Sequence, residues 1–95
     1  MRRHYLVTYD VSDDKRRTRV FEACKDAGDH TQYSVFTCEL NRRELAKLHA
    51  KLHGHIHHEE DQVLILDLGP AHHCLSDGME CLGRAWEPPV KVFIV

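Results

Sequence analysis

The chain contains no long uninterrupted run of apolar residues, so the sequence has no candidate for a membrane-spanning helix and we expect no membrane partner. No two of the four cysteines stand in a CxxC spacing, which argues against a zinc ribbon, and we expect four reduced thiols. No targeting segment precedes the first strand pattern. Together these absences predict a cytoplasmic protein.

A strong excess of positive charge is also absent. Thirteen lysines and arginines stand against 15 acidic residues, and the net charge is −2 with histidine neutral. This balance is weak for a nucleic-acid-binding protein. The positive charge is nevertheless clustered at Arg2 and Arg3, at residues 15–19, and at Arg42 and Arg43. A local cluster can bind phosphate groups even when the total charge is slightly negative.

The chain has only 95 residues, which predicts one domain over residues 1–95, with residues 70–95 as a C-terminal extension. A chain of this size buries only about 60–65% of the surface that its unfolded form exposes, so its stability is marginal. Dimerisation would add buried surface.

The first strand pattern covers His4 to Asp10 and ends on a carboxylate, and the basic cluster of residues 15–19 follows at once. A carboxylate at a strand tip can hold a divalent metal ion, and basic side chains on the next helix can hold phosphates. Together they suggest phosphodiester binding or cleavage. The simpler alternative is a strand, a turn and a solvated helix face.

The first helix is predicted from Ser12, a suitable N-cap, to Gly28, a suitable end. Its apolar stripe includes Val20 and Cys24. Residues 30–40 then alternate with a period of two. Because 11 residues are long for one strand, we expect a break into two strands near Ser34.

A second helix is predicted after Asn41, with Glu44 completing a capping box, and it should end at Gly54. Asp61 to Leu68 reads as a further strand, and Met79 to Leu82 as a short one. Residues 90–95 are strongly β-prone and follow two prolines, so this last strand should pair with the sheet edge of a partner subunit.

This order of elements predicts an α+β fold. We expect a ferredoxin-like βαββαβ sandwich with a mainly antiparallel sheet and two helices on one face. The other sheet face would then be available to a second subunit.

The nine histidines raise the question of a metal site. His49 and His53 share one helix face, but no third and fourth ligands are evident, so a zinc cluster is the weaker interpretation. The stronger one is a surface whose positive charge increases as the pH falls through about 6.5, with tighter DNA binding in mild acid.

Several segments together resemble the CRISPR-associated protein 2 family. The segments are Tyr5–Ser12, Arg16-Arg17 with Arg19-Val20, Gly28, Gln32–Phe36, Glu59–Val63, Leu82-Gly83 and the tail from Pro88. The resemblance covers nearly the whole chain. It implies a ferredoxin-like homodimer whose last strand pairs with the other protomer. It also implies a role in CRISPR adaptation, in which the dimer bridges copies of the CRISPR-associated protein 1 integrase and binds spacer DNA.

Many members of that family are described as metal-dependent nucleases that act on RNA or duplex DNA. The resemblance therefore implies that Asp10 is the catalytic and metal-binding residue, with Mg²⁺ or Mn²⁺ as the ion. It also links Tyr9, Arg17, Arg19 and Phe36 to activity or substrate contact. One departure is His30, where family members often carry arginine, which weakens a substrate role at that position.

The competing interpretation is a nucleic-acid-binding scaffold without catalysis. In that case the arginines would contact backbone phosphates and Asp10 would be structural; these arginines are Arg16, Arg17, Arg19, Arg42 and Arg43. A third alternative is a toxin-like messenger RNA interferase, against which the Gln32–Phe36 segment argues.

Overall fold

A computed structural model of the chain describes residues 1–88. Its elements, in chain order, are β1 (Arg3–Asp10), α1 (Asp14–Ala27), β2 (Asp29–Gln32), β3 (Val35–Leu40), α2 (Arg42–His55), β4 (Gln62–Pro70) and a short 3₁₀ helix (Leu75–Gly78). Within the described residues, neither helix is long and apolar enough to cross a membrane.

The four strands form one sheet in the order β2-β3-β1-β4, and every neighbouring pair is antiparallel. The two helices connect β1 to β2 and β3 to β4. This is the predicted ferredoxin-like βαββαβ arrangement, and the α+β prediction is confirmed. Because β1 lies in the interior of the sheet, its carboxyl end is flanked by two other strands.

Alternation along β1 separates the two faces of the sheet. Tyr5, Val7 and Tyr9 are buried in the core, as the period of two predicts. The core also takes residues from both helices and from β3, namely Val20, Cys24, Phe36, Cys38, Leu48 and Leu52. The opposite face carries Leu6 and, in register with it on β4, Leu66.

This opposite face of the sheet is apolar and exposed. Leu64, Leu66 and Leu68 of β4 are each 45–47% exposed. These three leucines leave an exposed apolar surface on this face. An apolar patch of this kind marks an interaction site more often than a surface that stays in contact with water.

Helix boundaries follow local chemistry, with two corrections to the sequence interpretation. The N-cap of α1 is Asp13 rather than Ser12, since the Asp13 carboxylate accepts a hydrogen bond from the Arg16 backbone N–H at 2.9 Å. A carboxylate is as good a cap as a hydroxyl and also suits the helix dipole. The second correction is that α2 continues through Gly54 to His55, because one glycine in a helix costs only about 1 kcal/mol.

The capping box that begins α2 is confirmed. The Asn41 side chain accepts from the Glu44 N–H at 2.9 Å, and the Glu44 carboxylate accepts from the Asn41 N–H at 2.9 Å. The break in residues 30–40 is confirmed as well, since β2 and β3 are separated by a turn at Tyr33 and Ser34.

The segment after β4 departs from the prediction. Met79 to Leu82 is not a strand: it follows the 3₁₀ helix as irregular chain. The segment lacks the alternating pattern of a half-buried strand, and no sheet edge receives it. The predicted terminal strand, residues 90–95, lies outside the described residues.

Candidate nucleic-acid interface

Asp10 is the last residue of β1 and its side chain is exposed. By alternation with the buried Tyr9, it lies on the sheet face opposite the helices, next to Gln62 of β4 in the register. Within residues 1–88, the Asp10 carboxylate has no hydrogen bond or ion pair. It is therefore an available anionic oxygen ligand at the edge of the exposed apolar face.

The metal-binding capacity of one chain is limited. Within the described residues, no group of three histidine, cysteine, aspartate or glutamate side chains is placed to hold a metal ion. The carboxylate of Asp10 has the hard oxygen chemistry that Mg²⁺ and Mn²⁺ prefer, and Mg²⁺ commonly keeps several waters with only one or two carboxylates. The donor type fits, but a complete site would need oxygens from a second chain or from substrate phosphates.

Arg16 does not face solvent as a free cation. Its Nε donates to Asp61 Oδ2 at 2.7 Å, and its Nη2 reaches Glu60 Oε2 at 3.3 Å. The Asp61 side chain is completely buried and also accepts from the His57 backbone N–H. The Arg16 guanidinium and this N–H hold the pKa of Asp61 below its usual value. Arg16 therefore ties α1 to the turn before β4.

Arg17 has a mixed role. Its guanidinium donates to the carbonyls of Val11 and Ser12 at 3.1 and 3.3 Å and to the Asp14 carboxylate. The side chain is still 42% exposed. It closes the β1–α1 connection and presents the rest of its surface to solvent.

Three other predicted arginines are available for phosphate. Arg19 on α1 and Arg42 and Arg43 at the start of α2 are exposed, and their side chains have no hydrogen-bond or ion-pair partner in residues 1–88. The structure thus divides the predicted basic residues into structural and available groups.

The two predicted aromatic contacts lie inside the protein. Phe36 has no exposed surface, and Tyr9 is only 7% exposed. The Phe36 ring packs against Phe21, with centroids 5.5 Å apart, and against His30 at 4.7 Å. Burial raises the pKa of Tyr9. In this conformation Phe36 offers nucleic acid no surface, and its place is in the core.

A cleft of about 290 Å³ lies between α1 and the β2–β3 turn. Its lining residues are Tyr9, Arg17, Thr18, Phe21, His30, Tyr33 and Ser34. Tyr33 is 92% exposed, whereas Tyr9 is buried and Phe21 is half-buried. The cleft combines a cation, hydroxyl groups and an exposed aromatic ring.

His30 fixes the backbone of this turn. Its Nε2 lies 2.7 Å from the Tyr33 carbonyl oxygen, which can only accept, so Nε2 must carry a hydrogen. The imidazole lies nearly parallel to the Phe36 ring, at 24°, and Phe21 meets it edge-on. At the position where the family resemblance leads us to expect arginine, this chain has a histidine that packs against two phenylalanine rings and bonds the turn backbone.

The predicted pairing of His49 and His53 on one helix face is seen, with ring centroids 6.3 Å apart. His58 contacts His53 at 4.4 Å. Within the described part of the chain, these rings do not form a three-ligand metal group.

Sequence reasoning located Asp10 and the exposed arginines but gave no sign of two features. The pairing of Arg16 with Asp61 joins positions that are distant in sequence. The exposure of Tyr33 is hidden by the alternating pattern of residues 30–40, which predicts half-buried positions. The predicted break near Ser34 is the signal that a turn lies there.

The family model described as CRISPR associated protein Cas2 matches residues 2–73. A protein named CRISPR-associated endoribonuclease Cas2 from Geobacter sulfurreducens is 34% identical over 91 residues, which cover 96% of this chain and 95% of the relative. A protein of the same name from Thermus thermophilus is 39% identical over 87 residues, with coverage of 90% and 83%.

Solved structures agree with the fold. A crystal structure of Streptococcus pyogenes Cas2 has a TM-score of 0.73 and 30% identity, and the match covers 84% of this chain and 99% of that one. A hypothetical protein from Thermus thermophilus has a TM-score of 0.76 and 30% identity, with coverage of 88% and 94%.

Proposed function

Because this chain belongs to the CRISPR-associated protein Cas2 family, we propose that it acts in CRISPR adaptation as a nucleic-acid-binding homodimer that bridges CRISPR-associated protein 1 integrase subunits. We further propose that Asp10 gives it a metal-dependent endonuclease activity on RNA or duplex DNA. The observation that carries the second proposal is the exposed, unpartnered Asp10 carboxylate beside the exposed apolar sheet face.

The homodimer is supported by the leucines of β4. Leu64, Leu66 and Leu68 expose nearly half of their surface on the side of the sheet opposite α1 and α2. Two copies that pack these faces together would remove the apolar surface from water, which stabilises a small chain at about 25 cal/mol per Å² of buried apolar area. The predicted terminal strand of each chain would add pairing at the partner's sheet edge.

Asp10 lies on the same sheet face as these leucines. A twofold packing of that face would bring the two Asp10 carboxylates toward one another and supply the second carboxylate that one chain lacks. When bound there, Mg²⁺ or Mn²⁺ would supply Lewis-acid chemistry at the scissile phosphate. Asp10 would hold the ion, and the chain's free arginines would hold the substrate.

Arg19, Arg42 and Arg43 are the side chains best suited to backbone phosphates, because none is engaged elsewhere in residues 1–88. Arg17 can add a partial contribution through its exposed surface. Arg16 is excluded from this set, since its Nε and Nη2 are occupied by Asp61 and Glu60. We propose that binding is mainly electrostatic and therefore weakens as salt increases.

The second candidate is a scaffold that binds nucleic acid without cleaving it. One observation favours it: within the described residues, the metal-binding groups of a single chain do not form a site. In this case Asp10 is dispensable for binding and for integration. The names of the relatives favour the nuclease, since those proteins are called endoribonucleases.

Cleavage of labelled RNA and duplex DNA with Mg²⁺ or Mn²⁺ separates the two candidates, with a gel shift to record binding. The variants are Asp10→Ala and a matched control, Glu22→Gln, an exposed acidic residue on α1. Loss of cleavage in Asp10→Ala alone, with binding retained, would establish a nuclease centred on Asp10. If the wild type does not cleave, or if all three proteins cleave equally, the scaffold function would be favoured.

Light scattering after size exclusion tests the dimer. We expect the wild type to elute as a dimer and Leu66→Asp as a monomer, because a charge would be buried on the packed face. The control is Ala50→Asp, at an exposed position of α2, which should stay dimeric. A monomeric wild type would contradict the proposed assembly.

A further inference from the structure

The cleft between α1 and the β2–β3 turn is separate from the proposed Asp10 site. Tyr9 lines the cleft, whereas its neighbour Asp10 lies on the other side of the sheet. Both sites are at the same end of β1. A nucleic acid that reaches Asp10 at this end of the molecule therefore passes close to the cleft.

The β2–β3 turn that carries Tyr33 is held at two points. His30 Nε2 donates to the Tyr33 carbonyl at 2.7 Å, and the Tyr9 backbone N–H donates to the Ser34 carbonyl at 3.2 Å. Both bonds use the turn's backbone, so neither restrains the Tyr33 ring. The turn is thus fixed in place while its aromatic ring remains 92% exposed.

An aromatic ring this exposed has no role in the packing of the described chain. Its face contacts no other aromatic ring in residues 1–88, although Phe21, Phe36 and His30 pack together close by. Proteins that bind single-stranded nucleic acid place such rings where a base can stack on them. In a duplex the base faces are covered by neighbouring pairs, so an internal base pair cannot use this ring.

The rest of the cleft suits the polar part of a nucleotide. Arg17 contributes a cationic side chain that is 42% exposed. Its Nη1 and Nη2 are engaged by the Val11 and Ser12 carbonyls and by Asp14, whereas its Nε has no hydrogen-bond partner in residues 1–88. Ser34 adds a hydroxyl group to the lining, whereas the Thr18 hydroxyl already donates to the Asp14 carbonyl at 2.9 Å. The volume of about 290 Å³ lies at the lower limit of the ligand sites of about 300–1,000 Å³ found in proteins, and therefore suits one nucleotide unit.

We propose that this cleft binds one unpaired nucleotide of a single-stranded segment, with the base stacked on Tyr33 and the phosphate near Arg17. The inference rests on the proposed nucleic-acid binding and adds a site for unpaired strand to it. RNA and DNA share the required chemistry, a base face and a phosphate. The ribose hydroxyl is what could distinguish them at this site.

The test compares Tyr33→Ala with Tyr33→Phe, which keeps the ring and serves as the matched control. The probes are labelled unpaired oligouridylate, unpaired oligothymidylate and a blunt duplex, measured by fluorescence anisotropy at fixed salt. Tyr33→Ala should weaken binding to the unpaired oligonucleotides by roughly tenfold, from the worth of one base stack, and leave the duplex unchanged. Tyr33→Phe should match the wild type on all three.

Because the Tyr33 ring is 92% exposed, the alanine variant should keep the wild-type fold, which circular dichroism and thermal unfolding can verify. Equal affinity of Tyr33→Ala and wild type for the unpaired probes would overturn the proposal. So would an equal loss on the blunt duplex. A loss of affinity on either unpaired probe, with duplex binding unchanged, would support the site.

Failure of this inference is distinguishable from failure of the proposed function. If the wild type binds the duplex but not the unpaired probes, the proposed nucleic-acid binding stands and the cleft proposal is wrong. If the wild type binds none of the probes, both proposals are wrong. As a direct readout, adenosine monophosphate should shift the nuclear magnetic resonance signals of His30 and Tyr33 but not those of Arg43, and unshifted cleft signals would overturn the assignment.

Discussion

Arg16 of α1 and Asp61, the residue before β4, form an ion pair with an Nε to Oδ2 distance of 2.7 Å, and the carboxylate is completely buried. The same carboxylate accepts from the His57 N–H at 2.8 Å, so it organises the turn that leads into β4. A basic residue that looks available for phosphate in the sequence is thus committed to holding two elements together.

This pair predicts a specific acid sensitivity. The folded-state pKa of Asp61 is lowered, chiefly by the Arg16 hydrogen bond. The contribution of this carboxylate to the free energy of unfolding is therefore fully present above its unfolded-state pKa of about 3.9. It is lost as the pH falls through the lower folded-state pKa. We expect Asp61→Asn to lower the thermal midpoint at neutral pH, and the difference from wild type to shrink below about pH 4.

Thermal unfolding followed by circular dichroism over that pH range measures this effect. The exposed Asp77, replaced by asparagine, is the control and should follow the wild-type curve. Other carboxylates with lowered pKa values, such as Asp67, are present in both proteins, so their effects cancel in the comparison. A difference in thermal midpoint between Asp61→Asn and wild type that stays constant into strong acid would therefore contradict the assignment to Asp61.

The two groups of arginines should respond differently to substitution. Arg19→Ala should weaken nucleic-acid binding and reduce the slope of log affinity against log salt by about 0.9 if it makes one phosphate contact to duplex DNA. Arg16→Ala should lower the unfolding midpoint and leave that slope unchanged, because its guanidinium is occupied by Asp61. Salt titrations of duplex binding measure both; a reduced slope for Arg16→Ala would show that the ion pair opens to bind phosphate.

Gly28, at the end of α1, is required by close packing rather than by its backbone angles. A Cβ there would lie 2.5 Å from both Cys38 Sγ and the Thr37 carbonyl oxygen, whereas its φ of −166° is open to any residue. We expect Gly28→Ala to cost roughly 1–3 kcal/mol in the free energy of unfolding, measured in urea.

Gly54 is the matched control for this substitution. Nothing lies within 4 Å of a Cβ built there, and the residue is inside α2. Gly54→Ala should therefore stabilise the protein by about 0.5–1 kcal/mol through helix propensity. If Gly28→Ala leaves the free energy of unfolding unchanged or raises it, the packing argument for Gly28 is wrong.

The four thiols should fall into two reactivity classes. Burial raises the pKa of Cys24 to about 12 and that of Cys38 to about 11, so neither forms thiolate near neutral pH. Cys74 and Cys81 are exposed. Iodoacetamide at mildly alkaline pH should label only the exposed pair in the native protein and all four in denaturant, as read by mass spectrometry.

A variant with serine at positions 74 and 81 provides the control. It should take up no label until it is unfolded. Native labelling of Cys24 or Cys38 would mean that the core between α1 and β3 opens on the time scale of the reaction, and would contradict the predicted protection of these buried thiols.

Most of the architecture could be predicted from local patterns. The period of two in β1 and in residues 30–40, and the capping box at Asn41, place strands and a helix correctly because each depends on residues within a few positions of one another. The cap of α1 was displaced by one residue because Ser12 and Asp13 are both good caps and only their geometry distinguishes them. The exposed position of Asp10 at the end of β1 could be predicted because a strand pattern ends there.

The sequence alone was enough for the order of elements, the ferredoxin-like class and the exposed carboxylate at the end of β1, since periodicity and capping are local properties. The partners of side chains far apart in the chain depended on the fold. Arg16 meets Asp61 across 45 positions, Phe36 is enclosed by Phe21 and His30, and Tyr33 is left exposed on a fixed turn. The residue type does not reveal whether an arginine is paired or an aromatic ring is buried. Only the packing of α1 against the sheet separates structural side chains from those that can bind a ligand.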